Sequence, residues 1–355
     1  MQGRCPAVPR LRRVDCSGPG ILRRGRGRGF EYLDEEGERV EDPETLERIR
    51  ELVIPPAWRE VWICPYPFGH IQAVGMDAAG RRQYLYHSRW RARRDQEKFD
   101  EMLRFARALP GLRRKAAKHL GQRGMSRERV LACSVRLLDR GFFRVGTEDY
   151  AVENATYGLA TMEKRHVRLA PGHLLVFDYV AKSGKERVQS IVDREVYAVV
   201  RKLKRRRGGP ELLTYKDGRS WVDIRSDHIN EYIKELTGEE FSAKDFRTWH
   251  GTVLAAVALA VSGGAAGSKT ARTKAISRAI KEVAHYLGNT PAVCRGSYID
   301  PRVFDRYRDG VTIGGALDRL GDVDFGQPAT QGTVEEAVLD LLEETQSPAL
   351  EKVAA

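Results

Sequence analysis

A chain of 355 residues with a formal net charge of +12 and an ordinary apolar fraction of 41% accommodates two or three domains. It can bury a sizeable core, and it is not a wholly disordered polyelectrolyte. The charge favours a polyanionic partner, nucleic acid or an acidic membrane. The best apolar run, 253–261, is too short to cross a bilayer, and the first arginines lead into no signal-peptide core. The five cysteines, at 5, 16, 64, 133 and 294, contain no C-x-x-C pair, so neither a zinc site nor a disulfide framework is indicated and a reducing compartment fits.

Residues 1–28 are rich in Arg, Gly and Pro and end in RRGRGRG. They read as a disordered basic arm with phosphate affinity, or as an extension without a role. FEYLDEEGERV (30–40) reads as a hairpin turning at Glu36-Gly37. Asp42 then caps a helix with Pro43 at its first position, and Pro55-Pro56 stops it. The pieces 61–64, 70–75 and 82–87 are short, aromatic or β-branched, and separated by Gly and Pro, as in the strands of a small sheet. Arg81, Gln83, Tyr84 and Tyr86 place basic, amide and aromatic groups together there. They suit contacts in a DNA groove, or they are solvated residues of an ordinary strand.

Residues 90–120 are charged and helical, with expected breaks at Leu109-Pro110-Gly111 and at 121–124. Ser126 caps the next helix, whose Leu131, Val135, Leu138 and Phe142 recur at helical spacing. It runs out in GFFRVG, where Arg144 lies between Phe143 and Val145 and either snorkels or meets a buried anion. Residues 157–168 are helical or irregular. Runs 173–180 and 186–192 form a hairpin through Ala181-Lys182-Ser183-Gly184-Lys185, which puts Lys182 at a tip, where it reaches into a groove or is simply solvated. Helices are expected over 194–204, and over 226–238 with Ser226 as cap. A further helix carries Lys244, Asp245 and Arg247 at its anion-favouring start and an apolar remainder.

GGAAGSKT (263–270) lacks the Gly directly before Lys that a nucleotide-binding loop requires, and it follows a helix. It reads as a connection, and no nucleotide is expected. In the tail, Thr333 and Glu336 read as a capping box before Val338.

The remaining stretch, LGNTPAVCRGSYIDP (287–301), follows a helical run over 275–286 and breaks at Gly288. Asn289 and Tyr298 stand nine positions apart. Tyr298 is a candidate nucleophile toward a DNA phosphate with Asn289 holding a phosphate oxygen; the alternative is a packing tyrosine with a wet hydroxyl.

Along the chain, FFRVG with Arg144, VAKSGK with Lys182, KDFRT with Lys244 and Arg247, and GNT…SY with Asn289 and Tyr298 occur in order. They resemble the active-site motifs of type IB DNA topoisomerases of the small bacterial and poxvirus kind. Residues 54–87 are similar to the amino-terminal DNA-clamping domain of that family, and the resemblance covers residues 29–317. It implies an α+β protein with a small β-rich DNA-clamping domain (29–90) and a mostly α-helical catalytic domain with a small β-hairpin sheet (91–320); outside the resemblance lie the disordered arm (1–28) and a tail with one helix (321–355).

The chemistry gives reasons for those residue types. A phosphodiester attacked by oxygen concentrates charge on its non-bridging oxygens, which Arg144 and Arg247 can fork. Asn289 adds a neutral donor. A free phenol titrates at about 10, and guanidinium groups favour its ionised form. By the resemblance, Lys182 is the general acid for the 5′-oxygen, Lys244 is a second basic helper, and the product is a 3′-phosphotyrosyl enzyme. The bond energy is kept in that link, so supercoils of either sign relax by strand rotation without ATP, metal or any cofactor. The expected protein is a cytoplasmic, nucleoid-associated monomer on double-stranded DNA. One departure stands out: many relatives carry His where this chain has Asn289, so only a hydrogen-bonding role carries over there. The alternatives are a tyrosine recombinase, which usually has H-x-x-R where this chain has Lys244-x-x-Arg247, and a non-enzymatic DNA-binding protein.

Overall fold

The computed structural model describes residues 9–148, 155–262, 268–320 and 328–352. The chain divides into two units, Met1–Asp100 and Glu101–Ala355. Together they make an α+β protein, one unit β-rich and the other mostly helical.

In the first unit the strands are β1 (Ile21–Arg26), β2 (Gly29–Leu33), β3 (Arg59–Ile63), β4 (Ile71–Met76) and β5 (Arg82–Tyr86). They form one antiparallel sheet in the order β2-β1-β3-β4-β5. The expected disordered arm is thus corrected over most of its length. Ile21 is buried and pairs with Ile63, so β1 is an interior strand, and Arg12 bridges to the 68–70 turn through both its N–H and its C=O. Arginine and glycine content signals disorder only where no apolar anchor is present, and Ile21 is one. The longer hairpin is therefore β1–β2, turning at Gly27 with φ +58°, and the expected turn at Gly37 closes a short one, with Asp34 N–H to Glu38 O and Val40 N–H to Tyr32 O at 2.9 Å and a bridge between Leu33 and Arg39. Helix α1 (Pro43–Glu51) begins as expected, Asp42 accepting from Thr45 N–H at 2.8 Å. Its Arg48 reaches Gln72 Oε1 and Cys64 O, while Gln72 Nε2 donates to Gly69 O at 2.7 Å and fixes the turn before β4.

Helix α2 (Ser88–Leu120) contains Pro110 and is unbroken, against the expected stop at 109–111. A proline forfeits its own N–H bond. Here burial of Phe105, Ala106, Leu109 and Leu112 on one stripe outweighs that loss. The division between the two units falls within this helix, after Asp100.

In the second unit α3 (Arg127–Gly141) is capped by Ser126 and ends at Phe142 in the left-handed conformation. The segment 157–163 is irregular and leads into β6 (Val167–Ala170), a strand the periodicity did not separate. It extends the expected hairpin, β7 (Leu174–Ala181) and β8 (Lys185–Val192), into a three-stranded sheet in the order β6-β7-β8. Then follow α4 (Arg194–Lys204), the hairpin β9 (Thr214–Asp217) and β10 (Ser220–Asp223), and α5 (Ser226–Thr237), in which Arg225 rather than Ser226 holds the cap position. Helix α6 (Ala243–Val261) runs through the core, where Phe105 meets Phe241 and Phe246 edge-on at 5.4 and 4.9 Å.

Helix α7 (Lys269–Leu287) starts earlier than expected because Ser268 caps it. The stretch 263–267 of the glycine-rich motif lies outside the described residues. Short helices α8 (Pro291–Ser297), α9 (Pro301–Arg308) and α10 (Gly314–Leu320) follow, with strand β11 (Val311–Thr312) between the last two. The tail contributes α11 (Pro328–Glu343) and β12 (Glu351–Lys352), which pairs with β11. Thr333 and Glu336 lie inside α11, so the expected capping box is replaced by a longer helix. No helix among the described residues is long and apolar enough to cross a membrane.

Candidate active site

Arg144, Lys182, Lys244, Arg247 and Tyr298 line one cavity of about 250 Å³ in the second unit. Asn289 reaches its wall by accepting from Arg144 Nη2. Four cations line the cavity and, among the described residues, no carboxylate does.

Each side chain is delivered by a local device. Lys244 and Arg247 are three apart on α6 and share a face. Asp245, which the sequence groups with them, instead closes a capping box by accepting from Ser242 N–H at 2.8 Å. Arg247 is only 5% exposed. It donates Nη1 to Phe142 O at 2.9 Å and Nη2 to Leu287 O at 2.8 Å, while its buried Nε has no hydrogen-bond partner among the described residues. Burial pushes its pKa down, the neighbouring Arg144 charge adds to this, and Tyr298 opposes it.

Arg144 follows the left-handed turn at Phe142. Its strand-like segment is held by Leu159 N–H to Arg144 O at 2.8 Å and Ala160 N–H to Val145 O at 2.7 Å. Gly146 and Gly158 pass so closely that a Cβ on Gly158 would lie 2.4 Å from Gly146 Cα, so a side chain is excluded where this wall forms.

Lys182 opens the three-residue turn between β7 and β8, in which Ser183 and Gly184 have φ of +67° and +69°. The hairpin is tied at two points that the sequence did not reveal. Gln189 Nε2 donates to Gly141 O. Arg187 donates to His285 O at 2.7 Å and Tyr286 O at 2.6 Å, satisfying carbonyls at the end of α7. Tyr179, across from Arg187, has its pKa pushed up to about 12 by burial and donates to Gln189 Oε1 at 2.7 Å; it is a structural hydroxyl.

Gly288 ends α7 with φ +64°, which swings Asn289 toward Arg144. Asn289 Nδ2 is buried without a hydrogen-bond partner among the described residues. Thr290 and Pro291 start α8, and Tyr298 occupies its C-cap. The Tyr298 ring is half-buried with its centroid 5.0 Å from the Arg247 guanidinium carbon. Its backbone is fixed from below: Gly251 of α6 passes beneath the carbonyl, and Thr252 Oγ1 accepts from Asp300 N–H at 3.1 Å. Gly251 and Thr252 are supports without a recognisable sequence signal; they are small residues inside a helix.

The expected DNA-contact residues sit in the first unit, and the structure sorts them. Tyr84 and Tyr86 are 39% and 40% exposed, stacked at 6.1 Å on edge strand β5, with Arg82 over Tyr84 at 5.7 Å. Gln83 points to the other face, where it and Arg81 donate to Asp77 Oδ2 at 3.0 and 2.9 Å. The Arg81 backbone N–H, then the Arg81 side chain, hold the Asp77 carboxyl down to about 2. The exposed basic-aromatic stripe is therefore Arg82-Tyr84-Tyr86, and Arg82 is the member that sequence reasoning missed.

A pocket lined by arginine and lysine, open to an oxyanion and walled in part by Tyr298 beside Arg247, defines a class of site built for phosphoryl chemistry. Residues 87–312 match the family model of the eukaryotic DNA topoisomerase I catalytic core, and residues 29–77 match that of the bacterial DNA topoisomerase IB N-terminal domain. The chain is 30% identical over 297 residues to DNA topoisomerase 1B of Acanthamoeba polyphaga mimivirus, covering 82% of this chain and 88% of that one. It is 22% identical over 240 residues to DNA topoisomerase 1B of vaccinia virus, covering 66% of this chain and 72% of that one. The chain belongs to the type IB DNA topoisomerase family. This membership sets aside the recombinase and the non-enzymatic DNA-binding protein.

Proposed function

We propose that this enzyme relaxes supercoiled double-stranded DNA by transient cleavage of one strand through Tyr298. The Tyr298 oxygen attacks the scissile phosphorus and its proton passes to solvent. The P–O5′ bond breaks and Lys182 gives its proton to the departing 5′-oxygen, leaving a 3′-phosphotyrosyl link. Arg144 and Arg247 hold the non-bridging oxygens while their charge peaks, Asn289 Nδ2 donates to one of them, and Lys244 supplies a further positive charge at the rim. The free 5′ strand rotates, and its hydroxyl reverses the reaction. The link conserves the phosphodiester bond energy, so resealing requires no nucleotide. The side-chain cations supply the charge neutralisation that other phosphoryl-transfer sites obtain from a metal.

The observation that carries this reading is that Arg144, Arg247 and Tyr298 line one cavity, free of carboxylates among the described residues, with the Arg247 guanidinium over the Tyr298 ring. Removing a buried, partly unsatisfied guanidinium from water is unfavourable unless an anion arrives, and a phosphodiester is such an anion. The test is plasmid relaxation in EDTA without ATP, wild type beside Tyr298→Phe, with a denaturing gel for covalent adducts. The wild type is expected to relax plasmid and form an adduct; Tyr298→Phe is expected to bind DNA and do neither. Relaxation by Tyr298→Phe at the wild-type rate would remove Tyr298 from the nucleophile role.

A further inference from the structure

We infer that Glu335, on the carboxy-terminal helix α11, is a positioning residue for Arg247, and that this helix is part of the catalytic apparatus. The inference rests on the reading of Arg247 given above. Helix α11 lies beyond both matched segments, which end at residues 77 and 312.

Behind the cavity lies a charge cluster drawn from four helices. Arg113 of α2 donates Nε to Asp139 Oδ2 at 2.9 Å and Nη2 to Asp139 Oδ1 at 2.8 Å. The same guanidinium donates Nη1 to Glu335 Oε2 at 2.5 Å and Nη2 to Glu335 Oε1 at 2.9 Å. Trp249 of α6 adds its indole N–H to Glu335 Oε1 at 3.1 Å, and His250 Nε2 stands 3.4 Å from Asp139 Oδ1. Asp139 is 4% exposed, His250 5% and Glu335 8%. Burial alone would neutralise Asp139, yet His250 and Arg113 hold its carboxyl well below the usual range; burial opposes the Arg113 charge as well, and Glu335 with Asp139 raises its pKa.

Well-packed apolar side chains of similar volume would often stabilise such an interior as well or better. What the cluster adds is direction. Asp139 lies three residues before Phe142, whose carbonyl accepts Arg247 Nη1 at 2.9 Å, and Trp249 and His250 lie two and three residues after Arg247. The Phe142 ring meets His250 edge-on at 5.3 Å. The cluster therefore grips both partners of the Arg247–Phe142 bond from behind, through α3 and through α6, and Glu335 completes it. A guanidinium misplaced by a fraction of an ångström forks a phosphate poorly.

The test is single-turnover cleavage of a duplex oligonucleotide whose short 5′ product diffuses away, together with DNA affinity and thermal melting, on the full chain. Glu335→Gln keeps the shape and removes the charge. It is expected to slow cleavage at saturating DNA by roughly ten- to hundredfold, with affinity within about twofold because ground-state binding does not use the cluster. Glu343→Gln, which removes an exposed partner of Arg107 on the same helix, is the control and should cleave like wild type. The decisive comparison is in an Arg247→Lys background, where Glu335→Gln should add less than about twofold, since it acts through a fork already lost. Unchanged cleavage by folded Glu335→Gln overturns the inference, and so does full slowing in the Arg247→Lys background. Should Glu335→Gln fail to fold, Trp249→Phe, which removes the indole donor to Glu335 together with part of a buried ring, takes its place in the same cycle, and the same two results would overturn the inference. Absence of any adduct from the wild type would instead overturn the reading of the site itself.

Discussion

Arg144 and Arg247 approach each other in a cavity that offers no carboxylate among the described residues, and burial already presses the Arg247 charge. At this scale the separable role is that of Lys182, at the hairpin tip on the same cavity. An alkoxide leaves poorly without a proton, whereas a thiolate, whose parent thiol titrates at about 8.5, does not need one. Lys182→Ala should therefore slow cleavage of ordinary DNA by roughly 10²- to 10⁴-fold, and cleave DNA carrying sulfur at the scissile 5′ position at close to the wild-type rate. Equal slowing on both substrates in single-turnover assays would mean that Lys182 stabilises charge and donates no proton. The identities of Arg144, Lys182, Arg247, Asn289 and Tyr298 were readable in the chain because each sits in a short motif. The sorting of Arg81 from Arg82 was not, because one Asp77 carboxylate decides it.

Among the elements, α6 does the most positioning. It presents Lys244 and Arg247 to the cavity, sends Trp249 and His250 into the buried cluster, and passes Gly251 beneath Tyr298. A Cβ at Gly251 would lie 2.5 Å from the Tyr298 carbonyl oxygen, a backbone atom fixed by its neighbours. Gly251→Ala is expected to cost about 1–3 kcal/mol of stability through overpacking. It should also slow cleavage by roughly 10²-fold, with DNA affinity retained. Thermal melting and single-turnover rates check the two effects separately; a loss of stability with a normal rate would show that Tyr298 tolerates displacement. The starts of α1 and α3 were legible because caps are local hydrogen bonds. The continuation of α2 through Pro110 was not, because burial along its apolar stripe overrides the local signal.

For the whole molecule, the charge of +12 predicts DNA binding that weakens steeply with salt, with a log–log slope of about −0.9 per phosphate contact. The β-rich unit offers the exposed stripe Arg82-Tyr84-Tyr86. Arg82→Ala should make that slope shallower by about 0.9, whereas Tyr84→Ala with Tyr86→Ala should weaken binding and leave the slope unchanged. Filter-binding isotherms at several salt concentrations distinguish these outcomes. An unchanged slope in Arg82→Ala would mean that this arginine touches no phosphate.

By itself the sequence determined the polyanionic preference, most of the strands and helices, and the order of the cavity residues. Charge, period and caps act over a few residues, and so leave their mark in short stretches. Tertiary structure alone decided that residues 21–26 form an interior strand, that Arg187 ties the Lys182 hairpin to the end of α7, and that Glu335 meets an arginine 222 residues away. Those outcomes depend on which buried surfaces meet, and a pairing between distant positions leaves no periodic trace in either one.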